Sequence, residues 1–143
     1  MKKVLSIILA AVLLLGVMPV VSFATNIIES GTCGENLTWT LDDEGTLSIS
    51  GTGKMGDTSP WRSFNSAQIK SVIVDEGVTN IGYYAFYGCI NLTNVTIPNS
   101  VLSIDESAFR LCRSLTNLSI PNSVTYIGSY AFACCYGLTS IMV

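Results

Sequence analysis

Leu92-Thr93-Asn94-Val95-Thr96-Ile97-Pro98-Asn99-Ser100-Val101 recurs further along the chain as Leu115-Thr116-Asn117-Leu118-Ser119-Ile120-Pro121-Asn122-Ser123-Val124. Between Leu92–Ser114 and Leu115–Gly137, 12 of 23 positions are identical. The same period carries Ile81, Ile104 and Ile127, the pairs Ala85-Phe86, Ala108-Phe109 and Ala131-Phe132, and Cys89, Cys112 and Cys135. A fixed period of roughly 20–50 residues marks a solenoid, in which each unit packs only on its neighbours. That pattern defines the kind of surface the chain presents and leaves open what the surface binds.

Each unit divides into three parts. The first has the form apolar-x-x-apolar-x-apolar and reads as a strand: Ile69-Val72-Val74, Leu92-Val95-Ile97, Leu115-Leu118-Ile120 and Leu138-Ile141-Val143. The second is a turn, Asp75-Glu76-Gly77, Pro98-Asn99-Ser100 or Pro121-Asn122-Ser123, built from residues that fix or tolerate a bend. The third is a return segment, Val78 and Ile81 followed by Ala85-Phe86 and Cys89 in the first unit. It is too short for a full helix and predicts a brief second strand, then one turn of 3₁₀- or α-helix. One unit alone buries too little apolar surface to offset the entropy of ordering it, so every rung depends on stacked neighbours.

Upstream, Leu37, Trp39 and Leu41 alternate with Thr38 and Thr40; Asp42-Asp43-Glu44-Gly45 supplies a turn; Leu47 and Ile49 alternate with Ser48 and Ser50. This is a β-hairpin with one apolar face. A hairpin is marginal alone, so it is expected to lie on the first rung and cover the end of the stack. Gly51-Thr52-Gly53-Lys54-Met55-Gly56 fits the letters of a dinucleotide-binding loop, but Asp57-Thr58-Ser59-Pro60 follows where a helix would have to open, so it reads as a glycine-rich connection. Trp61 is expected to pack against the cap, and Ser63 to Gln68 to form a short helical turn.

The L-x-x-L-x-L strand followed by a turn places the units among leucine-rich repeats in the broad sense. The decad Leu92 to Val101 with Ile104, Ala108-Phe109 and Cys112 resembles more closely the BspA-like leucine-rich repeat, a family of bacterial and protozoan surface and secreted proteins. Gly31-Thr32-Cys33-Gly34, Leu37-Thr38-Trp39 and Gly45 to Gly53 resemble that family's N-terminal segment. The resemblance implies a curved right-handed solenoid, β-rich, with short strands and short helical turns, and a role in recognition or adhesion. It carries no binding residues across, because the family shares no common ligand.

Residues 1–24 read as a signal peptide: Lys2-Lys3, an apolar run from Val4 to Val21, and small residues before a cleavage site after Ala24. Residues 25–68 form the cap and 69–143 the repeats, three full units and a fourth strand that stops where its turn would come. The abrupt stop predicts either a fragment of a longer protein or end-to-end pairing of copies, since an uncovered rung exposes a strand edge. Beyond Ala24 five basic and ten acidic residues remain, a net charge of −5. That balance argues against nucleic acid or an anionic membrane as partner, and cleavage of the leader would leave no inserted segment. Of the five cysteines, Cys89, Cys112 and Cys135 share one repeat position and suit a buried ladder of free thiols, although neighbouring rungs leave bridging open and an odd count leaves at least one thiol free. No metal or other cofactor is expected, as histidine is absent and there is no CxxC pair.

The lack of histidine also removes Ser-His-Asp and Cys-His arrangements, so the chain is not expected to be an enzyme. The expected function is adhesin-like binding of a protein or glycan on a host or microbial surface. The alternative is a non-catalytic spacer or targeting module of a longer secreted protein. Candidate ligand-facing residues are the outward strand positions Lys70, Ser71, Ile73, Thr93, Asn94, Thr96, Thr116, Asn117 and Ser119, continued by Thr139, Ser140 and Met142. Tyr83, Tyr84, Tyr87, Tyr126, Tyr130 and Tyr136 fall in or beside the return segments and form either an aromatic patch or a cover over the core.

Overall fold

A computed structural model describes residues 24–57, 59–63 and 66–143. The predicted leader, apart from Ala24, lies outside the described residues. The cap consists of β1 (Ile27–Gly34), β2 (Leu37–Asp42) and β3 (Thr46–Gly51). The repeats supply β4 (Ser71–Val74), β5 (Asn80–Ile81), β6 (Asn94–Thr96), β7 (Ser103–Ile104), β8 (Asn117–Ser119), β9 (Tyr126–Ile127) and β10 (Ser140–Met142). The strands at the front of each rung pair in parallel, β4 with β6 and β8 with β10. The short strands of the return segments form their own parallel sheet in the order β5-β7-β9. The chain is thus a β-solenoid whose stacked rungs follow the repeat period of the sequence.

The cap hairpin β2/β3 is present, with β1 added antiparallel on its outer side. Asp42 closes its turn: Oδ1 accepts the amides of Glu44 at 3.1 Å and Thr46 at 2.7 Å. Gly45 sits there at φ +89°, and a Cβ on it would lie 2.5 Å from the Gln68 carbonyl, so the close approach of the first rung also requires glycine. The cap lies on the first rung and covers the end of the stack, as expected, but by extending the sheet. It joins edge to edge, β3 running parallel to β4 with Leu47 opposite Val72 and Ile49 opposite Val74. The sheet therefore reads β1-β2-β3-β4-β6 without a break. The reason is that an exposed first strand needs hydrogen-bond partners as much as a cover for its side chains. Leu37, Trp39, Leu41, Leu47 and Ile49 extend the core of the rungs by one layer.

The glycine-rich stretch is fully used in this junction. Gly53 donates to the Gly77 carbonyl and accepts from Thr79, both at 2.9 Å, and Gly56 donates to Cys33 at 2.7 Å. Met55 N–H donates to Oδ1 of buried Asn80 at 2.7 Å, and Asn80 Nδ2 donates to Asp105 Oδ2 at 2.7 Å. Of the helical turn expected at Ser63 to Gln68, residues 64 and 65 lie outside the described residues, and 66–68 form a turn; a single 3₁₀ turn covers Pro60–Arg62. Proline at its start suits a turn whose first amides have no internal partner.

The return segments replace a helical turn with a more economical device. Ala85, Tyr87 and Cys89 each donate their amide to the carbonyl three residues earlier, while Tyr84, Phe86 and Gly88 donate to Glu106, Ala108 and Arg110 of the next rung. Ser107, Phe109 and Leu111 repeat the outward bonds to Ser129, Ala131 and Ala133. An α-helix would turn every interior amide back on itself and leave none for the neighbour. The alternation is held open by left-handed residues at two repeat positions: Tyr84, Ser107 and Tyr130 (φ 53°, 55° and 58°), and Gly88, Leu111 and Cys134 (φ 72°, 66° and 60°).

Left-handed backbone costs a non-glycine residue about 1–2 kcal/mol. Ser107 is also wholly buried and its hydroxyl has no protein partner. Ser107→Gly is expected to stabilise the fold by about 1 kcal/mol once the unfolded-chain entropy of glycine is subtracted. A urea midpoint that falls instead would show that this backbone conformation is unstrained.

Inside, side chains at one repeat position stack into columns. Trp39, Trp61, Phe86, Phe109 and Phe132 form an aromatic column with successive centroid distances of 5.6, 5.9, 5.2 and 5.5 Å. The first pair meets edge to face, and the rings from Trp61 onward stack. Beside it runs a column of thiols, all free: Cys112 Sγ donates to the Phe86 carbonyl at 3.1 Å and Cys135 Sγ to the Phe109 carbonyl at 3.0 Å. The choice between free and bridged cysteines thus resolves in favour of free thiols. Burial pushes the Cys89 thiol up to about 12 and the Cys33 thiol up to about 11. Cys112 is raised too, first by burial and then by Cys89 and Cys135 beside it.

These shifts carry a sign. Below the ordinary thiol value of 9.0 both states are protonated and nothing changes. Above it the unfolded chain loses thiol protons while the folded core retains them, so stability falls from pH 9 to about 12 for Cys89. A urea midpoint that declines across this window, less steeply in Cys89→Ala, is the expected result.

Burial weakens toward the fourth rung. Ile81 and Ile104 are fully buried, whereas Ile127 at the same repeat position is 47% exposed. Ile141 and Val143 are exposed as well. Among the described residues, no helix is long and apolar enough to cross a membrane.

Candidate recognition face

Outward positions of the front strands line up across the sheet because parallel pairing keeps like positions in register. Ser48, Ile73 and Thr96 form one row and Thr46, Ser71 and Asn94 the next. Thr40 opposite Ser48 continues the first row into the cap. Further along, Asn117 lies opposite Ser140 and Ser119 opposite Met142. Between β6 and β8 the ladder is interrupted, so the face falls into a five-stranded part and a two-stranded part.

Of the candidates, Ile73, Asn94, Thr96, Asn117 and Ser119 are exposed on this face, and Ser71 is half-buried within it. Lys70, Thr93 and Thr116 are exposed one step ahead of their strands, at the edge where the rungs are fastened together. There the Thr93 amide and hydroxyl both donate to the Lys70 carbonyl, at 2.9 and 3.1 Å. Thr139 does the same to Thr116, at 3.0 and 3.2 Å. These threonine hydroxyls are staples between rungs and keep only an accepting lone pair for a ligand. Ser140 Oγ likewise donates to Asn117 Oδ1 at 2.8 Å.

The serine of each turn has a similar duty. Ser100 Oγ donates to the Val78 carbonyl at 2.7 Å and accepts from the Gly77 amide at 3.0 Å; Ser123 Oγ donates to Val101 at 2.8 Å. The Pro-Asn-Ser motif is therefore conformational and cohesive at once: proline sets the bend, and serine ties it to the preceding rung. What the sequence did not reveal is that Thr40, Thr46 and Ser48 of the cap belong to the same face. Their alternation was visible, but the edge-to-edge junction that aligns them was not.

A cleft of 390 Å³ opens at the turn end of the last rungs, between Ile97, Ser119, Met142 and the turn residues Asn99 and Asn122. The face itself carries little charge. Lys70 stands at one margin beside Asp42 and Asp43, and Asp75 at another, where its Oδ2 accepts Ser50 Oγ at 2.7 Å. Among the described residues no cluster of three or more His, Cys, Asp or Glu is arranged to hold a metal ion.

On the return side, Tyr84 and Tyr87 lie with centroids 5.6 Å apart and inclined at 55°. Tyr83, Tyr126, Tyr130 and Tyr136 are exposed, Tyr130 by 65%. The tyrosines thus form a surface layer outside the core column of Phe86, Phe109 and Phe132, rather than part of that core.

The profile of the BspA type leucine rich repeat region matches residues 60–143 in six copies. Among solved structures, a leucine-rich repeat protein of Eubacterium ventriosum is 28% identical with a TM-score of 0.60, over 79% of this chain and 40% of its own. Leucine-rich repeat proteins of Bacteroides capillosus (21% identical, TM-score 0.56, 75% of this chain and 93% of its own) and Bacteroides ovatus (19%, 0.52, 85% and 41%) share the fold. This chain spans less than half the length of the Eubacterium protein. No curated protein matches it.

Proposed function

This chain belongs to the BspA-type leucine-rich repeat family, and from that premise we propose that it is a secreted or cell-surface module that binds a protein or glycan through its front sheet. The observation that carries the reading is the aligned outward rows of Thr40-Ser48-Ile73-Thr96 and Thr46-Ser71-Asn94 across cap and repeats. They offer hydroxyl and amide groups on a rigid backbone, with Ile73 as a central apolar contact. Rigid presentation lowers the entropy lost on binding. The basic and apolar N-terminus supports export, and the lack of histidine supports binding over acid–base or nucleophilic catalysis.

The test is direct. The protein is applied to arrays of glycans and matrix proteins beside an Ile73→Asp, Thr96→Lys double variant. Both substitutions sit on the solvent side and leave the core intact. Saturable binding that weakens about tenfold or more in the variant is expected. Equal binding by both would move the site elsewhere. No saturable binding at all would favour the non-catalytic spacer.

A further inference from the structure

All three arginines and all six tyrosines of the chain lie on the return side or in the 3₁₀ turn against it. Arg62 places its guanidinium carbon 5.3 Å from the Tyr84 ring centre and 4.9 Å from that of Tyr87. Arg110 stands 6.0 Å from Tyr87 and 5.6 Å from Tyr130. Arginine and tyrosine thus alternate across three rungs, with both guanidinium groups gathered around the one Tyr87 ring.

Two facts make this more than surface decoration. Among the described residues the contacts that hold the Arg62 and Arg110 guanidinium groups are tyrosine rings, although beyond Ala24 acidic residues outnumber basic ones ten to five. Arg110 Nε–H is also buried without a partner. Ring faces hold the cations in place, and Arg62, an exposed residue, turns its guanidinium edges to where a carboxylate can make a two-pronged contact. Next to Arg62 and Tyr83 is a cleft of 440 Å³, with Asp57, Ser59 and Ser63 completing its wall.

We infer that this face is a second docking surface, independent of the front sheet, for an acidic extended polypeptide segment. Carboxylates two or three residues apart on an extended chain stand roughly 7–10 Å from one another, which suits two guanidinium groups that share a single tyrosine ring. Tyr130 and Tyr83 then supply the exposed aromatic contact that, with arginine, dominates protein–protein hot spots.

The experiment is fluorescence anisotropy with a short labelled peptide bearing glutamate at every second position, against its glutamine counterpart. The glutamate peptide should bind saturably, about tenfold or more tighter than the glutamine one, and more weakly as salt rises. Arg62→Lys, which keeps the charge but loses the fork, should weaken it several-fold, and Arg62→Gln with Arg110→Gln should abolish it. Lys54→Gln should leave it unchanged. Circular dichroism accompanies each variant, and Arg62→Lys, at an exposed position, keeps the test valid if the glutamine pair misfolds. Absence of saturable binding, an equal loss in Lys54→Gln, or tighter binding of an oligouronate of the same charge would overturn the inference. The sheet-face variants leave these arginines intact, so the two proposals fail separately.

Discussion

Phe109→Ala should destabilise the protein by about 3–5 kcal/mol, a large share of the ~5–15 kcal/mol available to a domain of ordinary stability. Phe109 is wholly buried and stacks on Phe86 at 5.2 Å and on Phe132 at 5.5 Å. Its removal opens two interfaces at once. In a linear array those interfaces are the only ones the rung has, so no distant packing compensates. Urea unfolding should show a lower midpoint together with a shallower slope, because the rungs beyond the gap come apart before the rest. A loss under about 1 kcal/mol would show that the aromatic column follows the stack rather than supporting it.

Trp61→Ala acts at the other end of the column with a different outcome. The Trp61 ring sits between Trp39 of the cap and Phe86 of the first rung, and its Nε1–H donates to the Ala85 carbonyl at 2.7 Å. Truncation leaves a cavity of indole size and an unpaired buried carbonyl, again about 3–5 kcal/mol. Trp61→Phe keeps a ring but loses the bond and should cost about 1–3 kcal/mol. With Trp61 gone, Trp39 is the sole remaining tryptophan, so tryptophan fluorescence reports the cap alone while far-ultraviolet circular dichroism reports the strands of cap and rungs together. The two transitions, expected to coincide in the parent, should separate in Trp61→Ala. If they stay together with an unchanged midpoint, the parallel β3–β4 ladder by itself holds the cap in place.

Much of this was readable in the chain. The repeat period located the rungs, and spacing within Leu92–Ser114 named its buried set correctly: Leu92, Val95, Val101, Ile104, Ala108, Phe109 and Cys112 are all buried, with Ile97 partly so, whereas Ile127, Ile141 and Val143 at equivalent positions of the later units are exposed. Periodicity succeeds there because every inward residue meets a copy of itself. It fails where the chain is not periodic. One period before Phe86 stands Ser63, and the ring that takes the place in the aromatic column is Trp61 instead. Alternation in the cap showed which face was apolar but not which edge would pair, since face and edge are separate properties of a strand.

The site was less legible than the fold. Outward threonines look alike in sequence whether they await a ligand or bond the neighbouring rung; only the Thr93–Lys70 and Thr139–Thr116 bonds separate the two uses. The arginine–tyrosine series was hidden for a similar reason. Arg62 belongs to the turn before the repeats and Arg110 to the second return segment, and only stacking brings them onto the same Tyr87 ring.

The alternating amides of the return segments bear on how such a protein changes over generations. Each rung receives hydrogen bonds from one neighbour and gives the same set to the other, so a rung is interchangeable with its copy. Duplicating one whole rung at a Pro-Asn-Ser turn would leave the alternating donors and acceptors of the return segments matched. It would lengthen the molecule by one inter-strand spacing, about 4.8 Å. Reach is then a quantity that recombination can adjust in fixed steps, without redesign of any core, while substitutions on the outward rows alter what is held at that distance.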